Sequence, residues 1–132
     1  MDYNSSGTVP FIIPEINHGF QQAEGLMKLG KERLEFEFEV KDSILGVVKS
    51  GLKEVVIPFS DLKSITYKKG WIGAKVILEG NSMKVFSELP GTELATCTLK
   101  IKRKHRDDAQ RLISQARMQF SEYKLEQFDK NN

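Results

Sequence analysis

From Glu24 to Lys104 the apolar residues mostly fall at every second position; beyond Asp107 they recur every three or four. Arg33 to Lys41 is the cleanest alternation, with Leu34, Phe36, Phe38 and Val40 on one face and Glu35, Glu37, Glu39 and Lys41 on the other. A one-residue slip would bury the three glutamates, so this register is strongly fixed. Glu24–Gly30 reads as the strand before it, with Leu26 and Lys28 on one side and Met27 and Leu29 on the other. Val55–Gly80 reads as three further strands. Val55, Ile57 and Phe59 alternate first, then Ile65 and Tyr67 share a face, and Val76 and Leu78 share one in the strand begun by Trp71. Pro58 donates no hydrogen bond and places its strand at an edge or a bulge. Met83–Phe86 is predicted as a short strand and Leu45–Lys49 as a ragged one. Ala95–Lys104 is the last, with Ala95, Cys97, Leu99 and Ile101 inward.

The helical part has one apolar stripe, Ala109, Leu112, Ile113, Ala116, Phe120 and Tyr123. Asp107 is its expected N-cap, and it should run over about 107–128. Met118 and Leu125 lie nearly opposite the stripe, on a smaller apolar face that the strands cannot cover. Residues 1–22 read as an N-terminal arm, partly disordered, and 23–128 as the domain. Within the arm Phe11-Ile12-Ile13 is too apolar for a free tail and should dock on its own domain or on a neighbour.

A chain of 132 residues suits one domain with one core. Its 39% hydrophobic and 29% charged composition is that of an ordinary globular chain, without an apolar run of membrane-spanning length. Residues 1–10 have neither the basic start nor the apolar segment of a secretory signal. The one cysteine, Cys97, has no internal partner, so a reducing cytoplasmic setting is expected. Net charge is +2, yet residues 1–25 hold Asp2, Glu15 and Glu24 and no Lys or Arg, leaving +5 on the remainder. That excess peaks at Lys100, Lys102, Arg103, Lys104 and Arg106.

The order of seven strands and then one amphipathic helix resembles the pleckstrin-homology superfold. Ile57-Pro58-Phe59-Ser60-Asp61-Leu62 followed by Ile65 is similar to the strand-turn-strand motif of GRAM and bacterial PH-like domains. Gly70-Trp71-Ile72-Gly73, Leu89-Pro90-Gly91 and Arg106-Asp107-Asp108-Ala109 resemble motifs of bacterial PH-like proteins, and the likeness covers Ala23 to Arg117. It implies a mainly β (α+β) fold: a seven-stranded, partly open barrel or sandwich of two near-orthogonal antiparallel sheets, capped by the helix. It also implies a bacterial source and a non-enzymatic interaction module. Lipid-binding members clamp an inositol phosphate with a lysine on the first strand and a basic-x-Arg on the second. Lys28, Lys31 and Arg33 are the matching residue types here, at a shorter separation and with Glu32 among them.

Four constellations could carry function. Trp71 beside Lys68 and Lys69 would suit insertion at an anionic membrane interface. Large aromatics mostly serve packing, however, and the expectation is that Trp71 folds over the barrel end as a lid. The Lys100–Arg106 stripe alternates with core residues and lacks stacking aromatics, so a solvated face balanced by Glu35, Glu37 and Glu39 is expected, and nucleic acid is not. For catalysis, His18 and His105 stand in unrelated contexts, no metal, dinucleotide or P-loop motif occurs, and Cys97 faces inward; neither an enzyme nor a cofactor is expected. Phe11, Ile12, Ile13, Met118 and Leu125 form the candidate partner or dimer surface. A protein or peptide partner, including a second copy, is the leading reading. Peripheral binding to anionic membrane through Lys28, Lys31, Arg33, Lys68, Lys69 and Trp71 is second, at the inner face of the membrane.

Overall fold

The computed structural model describes residues 7–16, 18–48 and 50–131. Its strands are β1 (Thr8–Ile16), β2 (Gln21–Gly30), β3 (Arg33–Asp42), β4 (Lys53–Pro58), β5 (Leu62–Lys69), β6 (Gly73–Gly80) and β7 (Thr96–Lys102), followed by α1 (Arg106–Lys130). All seven strands belong to one antiparallel sheet in the order β4-β3-β2-β1-β7-β6-β5. The sheet is not closed, for β4 and β5 are its edges. The sequence places Pro58 at an edge or a bulge, and it is the last residue of edge strand β4.

The strand number matches the expectation, but one member differs. Thr8–Ile16, read from sequence as part of an arm, is the central strand between β2 and β7. Val9, Phe11 and Ile13 enter the core at alternate positions, and Pro14 falls where the register shifts between Ile13 and Ile16. A proline is tolerated there because the ladder is already interrupted. Met83–Phe86, in contrast, is not a strand. The segment folds into successive turns (Ser87 N–H to Lys84 O, Leu89 N–H to Phe86 O) that drop Phe86 and Leu89 into the core. Of the ragged strand expected over Leu45–Lys49, only Val48 makes an isolated bridge, to Lys41, while Lys49 lies outside the described residues. Residues 1–6, part of the expected disordered tail, lie outside them too.

The other alternations hold. Leu34, Phe36 and Phe38 are buried on β3, and Cys97, Leu99 and Ile101 on β7. Facing them, α1 buries Ala109, Leu112, Ile113, Ala116 and Phe120, with Tyr123 half-buried. The helix begins one residue earlier than expected, with His105 as N-cap, and Asp107 sits inside the first turn, where its charge still favours the helix N-terminus. A 3-10 turn, Phe59–Asp61, joins β4 to β5 and sets Phe59 edge-on to Phe120 (5.4 Å) and Tyr123 (6.1 Å). The helix therefore closes the core at the side where the two edge strands meet the turn.

Candidate functional site

β5 and β6 form a hairpin whose tip is Gly70-Trp71-Ile72-Gly73. The turn is closed by Gly70 N–H donating to Gly73 O (2.7 Å). Gly73 is obligatory, because a Cβ there would lie 2.4 Å from the Ile101 carbonyl oxygen on β7. The helix start pins the same tip. Arg106 Nη1 donates to Gly70 O (2.9 Å), and Tyr67 Oη donates to Arg106 O (3.1 Å). Burial raises the Tyr67 pKa above its usual value, against the Arg106 charge and with a contribution from Asp107, so the hydroxyl stays a donor at neutral pH.

On this tethered turn Trp71 is 90% exposed and Ile72 80% exposed. The expected lid over the barrel end is thus overturned, for Trp71 points into solvent. Its surroundings are cationic. Lys68 and Lys69 precede it, Gly73 stands in register with Lys102, and the 3-10 turn Arg103–His105 follows directly. Among the described residues no carboxylate lies within 4.0 Å of Lys68, Lys69, Lys102, Arg103 or Lys104.

The outer face of the sheet carries a second pattern. Lys68, Lys75 and Lys100 stand in register across β5, β6 and β7, and the row continues through Ile12 to Glu24 and Glu39. One half of the row is basic and the other acidic. Lys41 Nζ engages both carboxylates, Glu24 at 3.1 Å and Glu39 at 3.9 Å. Burial acts to raise the Glu24 pKa, but the hydrogen bonds from Lys41 and Gln22 and the charges of Lys41 and Lys102 outweigh it and hold it below the usual value. Between β1 and β7 a groove of about 300 Å³ opens on this face.

The remaining candidate residues are dispersed. Lys28 is exposed on β2 opposite Glu35, Lys31 is in the β2–β3 turn, and Arg33 is tied to Glu35 (2.6 Å). Strands β1 and β7 separate them from the hairpin, so Lys68, Lys69 and Trp71 come together without Lys28, Lys31 and Arg33. Phe11 and Ile13 are core residues and Ile12 is half-buried on the outer face, whereas Met118 and Leu125 are exposed on the back of α1, joined by Phe128. Glu35, Glu37 and Glu39 lie on β3, with β2 and β1 between them and β7, and of the three Glu39 lines the same groove as Lys100, Lys102 and Lys104. Cys97 is buried, and burial pushes its thiol up to about 12. We expect no reaction with an aromatic disulfide reagent in the native state and prompt reaction in denaturant, read as thiol released over time.

Two features escaped the sequence reading. The β7 lysines adjoin the Trp71 tip, a register hidden by the long connection 81–95. The β3–β4 connection exposes Ile44, Leu45, Val47, Val48 and Leu52, with Phe20 beside it through Ser43 N–H to Phe20 O (3.0 Å). Among the described residues no helix is long and apolar enough to cross a membrane, and no group of three or more His, Cys, Asp or Glu is placed to hold a metal. Compared with known proteins, the chain matches no family model, no curated protein and no solved structure.

Proposed function

We propose that this chain is a PH-like interaction module that binds anionic membrane surfaces peripherally through the β5–β6 hairpin. The observation that carries this reading is Trp71 and Ile72, held out in water on a turn fixed at both ends beside Lys68, Lys69 and other cations that, among the described residues, have no carboxylate within 4.0 Å. An indole prefers the headgroup region, and each lysine or arginine near an anionic surface adds about 1 kcal/mol. Such a face acts on the inner, cytoplasmic side of a membrane, where anionic lipid is concentrated. The PH-like part is supported by the element order and by the thin β1–β7 junction. A single register pair, Ile12 with Lys100, joins the β4–β1 and β7–β5 portions of the one sheet, a thin link that suits the two-sheet, partly open barrel of that architecture.

Co-sedimentation with phosphatidylcholine vesicles, with and without phosphatidylserine, tests the reading. The parent should bind only the anionic vesicles, and less at high salt. Trp71→Ala/Ile72→Ala should weaken binding at least about tenfold, given the area two large apolar side chains bury. Lys68→Glu/Lys69→Glu should weaken it by about thirtyfold or more. No binding of the parent at low salt would remove the membrane from consideration.

A second reading, a protein or peptide partner, is favoured by the exposed Ile44, Leu45, Val47, Val48 and Leu52 with Phe20. It predicts that Ile44→Asp/Leu45→Asp abolishes capture of the partner while vesicle binding is retained.

A further inference from the structure

We infer that the groove between β1 and β7 is a binding site for a compact phosphate group carrying two negative charges, held by Lys100, Lys102 and Lys104. The inference goes beyond the membrane reading, since the groove can hold such an anion whether or not the hairpin inserts.

Shape comes first. β1 and β7 are in register only at Ile12 with Lys100. Among the described residues the ladder shows no further register pair, and toward Pro10 and Lys102 the outer face holds a groove. The cavity of about 300 Å³ is lined by apolar Pro10, Ile12 and Leu26 and by Lys100, Lys102 and Lys104, with Glu24, Glu39 and Lys41 on the same lining. Apolar lining residues with a few charged groups among them are the usual make-up of a small-ligand site.

Charge is the independent argument. Lys68, Lys75 and Lys100 face one another in register on adjacent strands, and like charges placed directly opposite destabilise a sheet. Among the described residues no carboxylate lies within 4.0 Å of any of the three, and the longer-range attraction between Glu24 and Lys102 is the one that reaches this basic side. The carboxylates in the groove, Glu24 and Glu39, are both engaged by Lys41, and Gln22 also donates to Glu24. Lys100, Lys102 and Lys104 thus share one concavity with no carboxylate within 4.0 Å among the described residues. His105, partly buried on the same lining, is one more potential donor. A doubly charged phosphate placed there would meet three ammonium groups, each a flexible point charge with several donors.

Two arms separate the sources of such a phosphate. In the first, sodium pyrophosphate is titrated into the full chain at low ionic strength and followed by backbone amide shifts. Saturable shifts confined to residues 11–12, 24–26 and 100–105 are expected. They should weaken at least about tenfold in Lys100→Gln/Lys102→Gln/Lys104→Gln, a loss of at least about 1.4 kcal/mol, and stay unchanged in Trp71→Ala. The triple variant relieves repulsion and should melt no lower than the parent, which separates lost binding from lost folding. A matched control, Lys31→Gln/Lys63→Gln/Lys130→Gln, removes equal charge outside the groove and should bind pyrophosphate as the parent does. The second arm compares vesicles bearing phosphatidic acid with vesicles bearing phosphatidylserine at equal surface charge. A preference for phosphatidic acid that disappears in the groove variant assigns the phosphate to a lipid headgroup. Pyrophosphate binding without that preference assigns it to a free phosphate compound. Shifts that never saturate, or an equal loss in the control, would overturn the site as diffuse attraction between a basic surface and any anion. Should the Trp71 variant lose vesicles but keep pyrophosphate, hairpin and groove are separable functions.

Discussion

Phe11→Ala is expected to lower stability by about 3–5 kcal/mol and the melting temperature by roughly 10–25 °C, read by urea and thermal denaturation. Phe11 is only 2% exposed and meets Phe36 edge-on, with ring centroids 5.8 Å apart. Truncation would leave a void in the middle of the sheet, where the strands on both sides are held by their own ladders and relax little. The damage would also spread, because β1 is the strand through which the β4–β2 and β7–β5 portions of the sheet are joined. Phe20→Ala is the proper comparison. It removes the same ring from an exposed turn and should change stability by no more than about 0.5 kcal/mol. If the two variants unfolded at the same urea concentration, β1 would not be a core strand, and the sheet order built on it would fail with it.

That strand also shows where reading the sequence stops. β3 is legible because Leu34, Phe36 and Phe38 alternate with glutamates, and only one register keeps those carboxylates in water. The α1 stripe is legible for the same reason at another period. β1 carries Val9, Phe11 and Ile13 in correct alternation, but Pro10 and Pro14 argue against a central strand, and the break in register after Ile13 accounts for Pro14 alone. Val85-Phe86 misleads in the opposite direction, since an apolar pair between polar residues fits a short strand and a turn that buries one ring equally well.

The candidate site is less legible, for a related reason. Periodicity assigns a residue to a face, and a hairpin tip has no face, so nothing in the pattern tells whether Trp71 folds back or stands out. What decides it is the hold of Arg106 on Gly70 and the tight approach of Gly73 to β7, contacts between residues more than 25 positions apart. The groove is hidden in the same way. The lysines of β7 were visible as a stripe, but their assembly with β1 depends on a strand not foreseen in the sheet.

Gly25→Ala should be as damaging as the loss of the Phe11 ring, although it adds only one methyl group. Gly25 stands in register between Phe11 on β1 and Phe38 on β3. A Cβ built on it would lie 2.0 Å from the Glu37 carbonyl oxygen and 2.7 Å from Phe38 Cα. Those neighbours are backbone, so no side-chain rotation can make room. β2 and β3 would have to move apart where their ladder is continuous from Gln21 to Gly30. We expect a loss of about 3–5 kcal/mol, above the usual cost of overpacking because a ladder and a core row are strained together. Gly51→Ala is the contrast, since a Cβ there meets nothing within 4 Å. It should be neutral, or stabilising by up to about 1 kcal/mol through the unfolded chain. The pair, compared by urea midpoint, separates a glycine needed for close strand approach from one that merely occupies a connection. Equal midpoints would mean that β2 does not lie against β3 in this register, and the outer-face row from Lys68 to Glu39, with the groove beside it, would have to be redrawn.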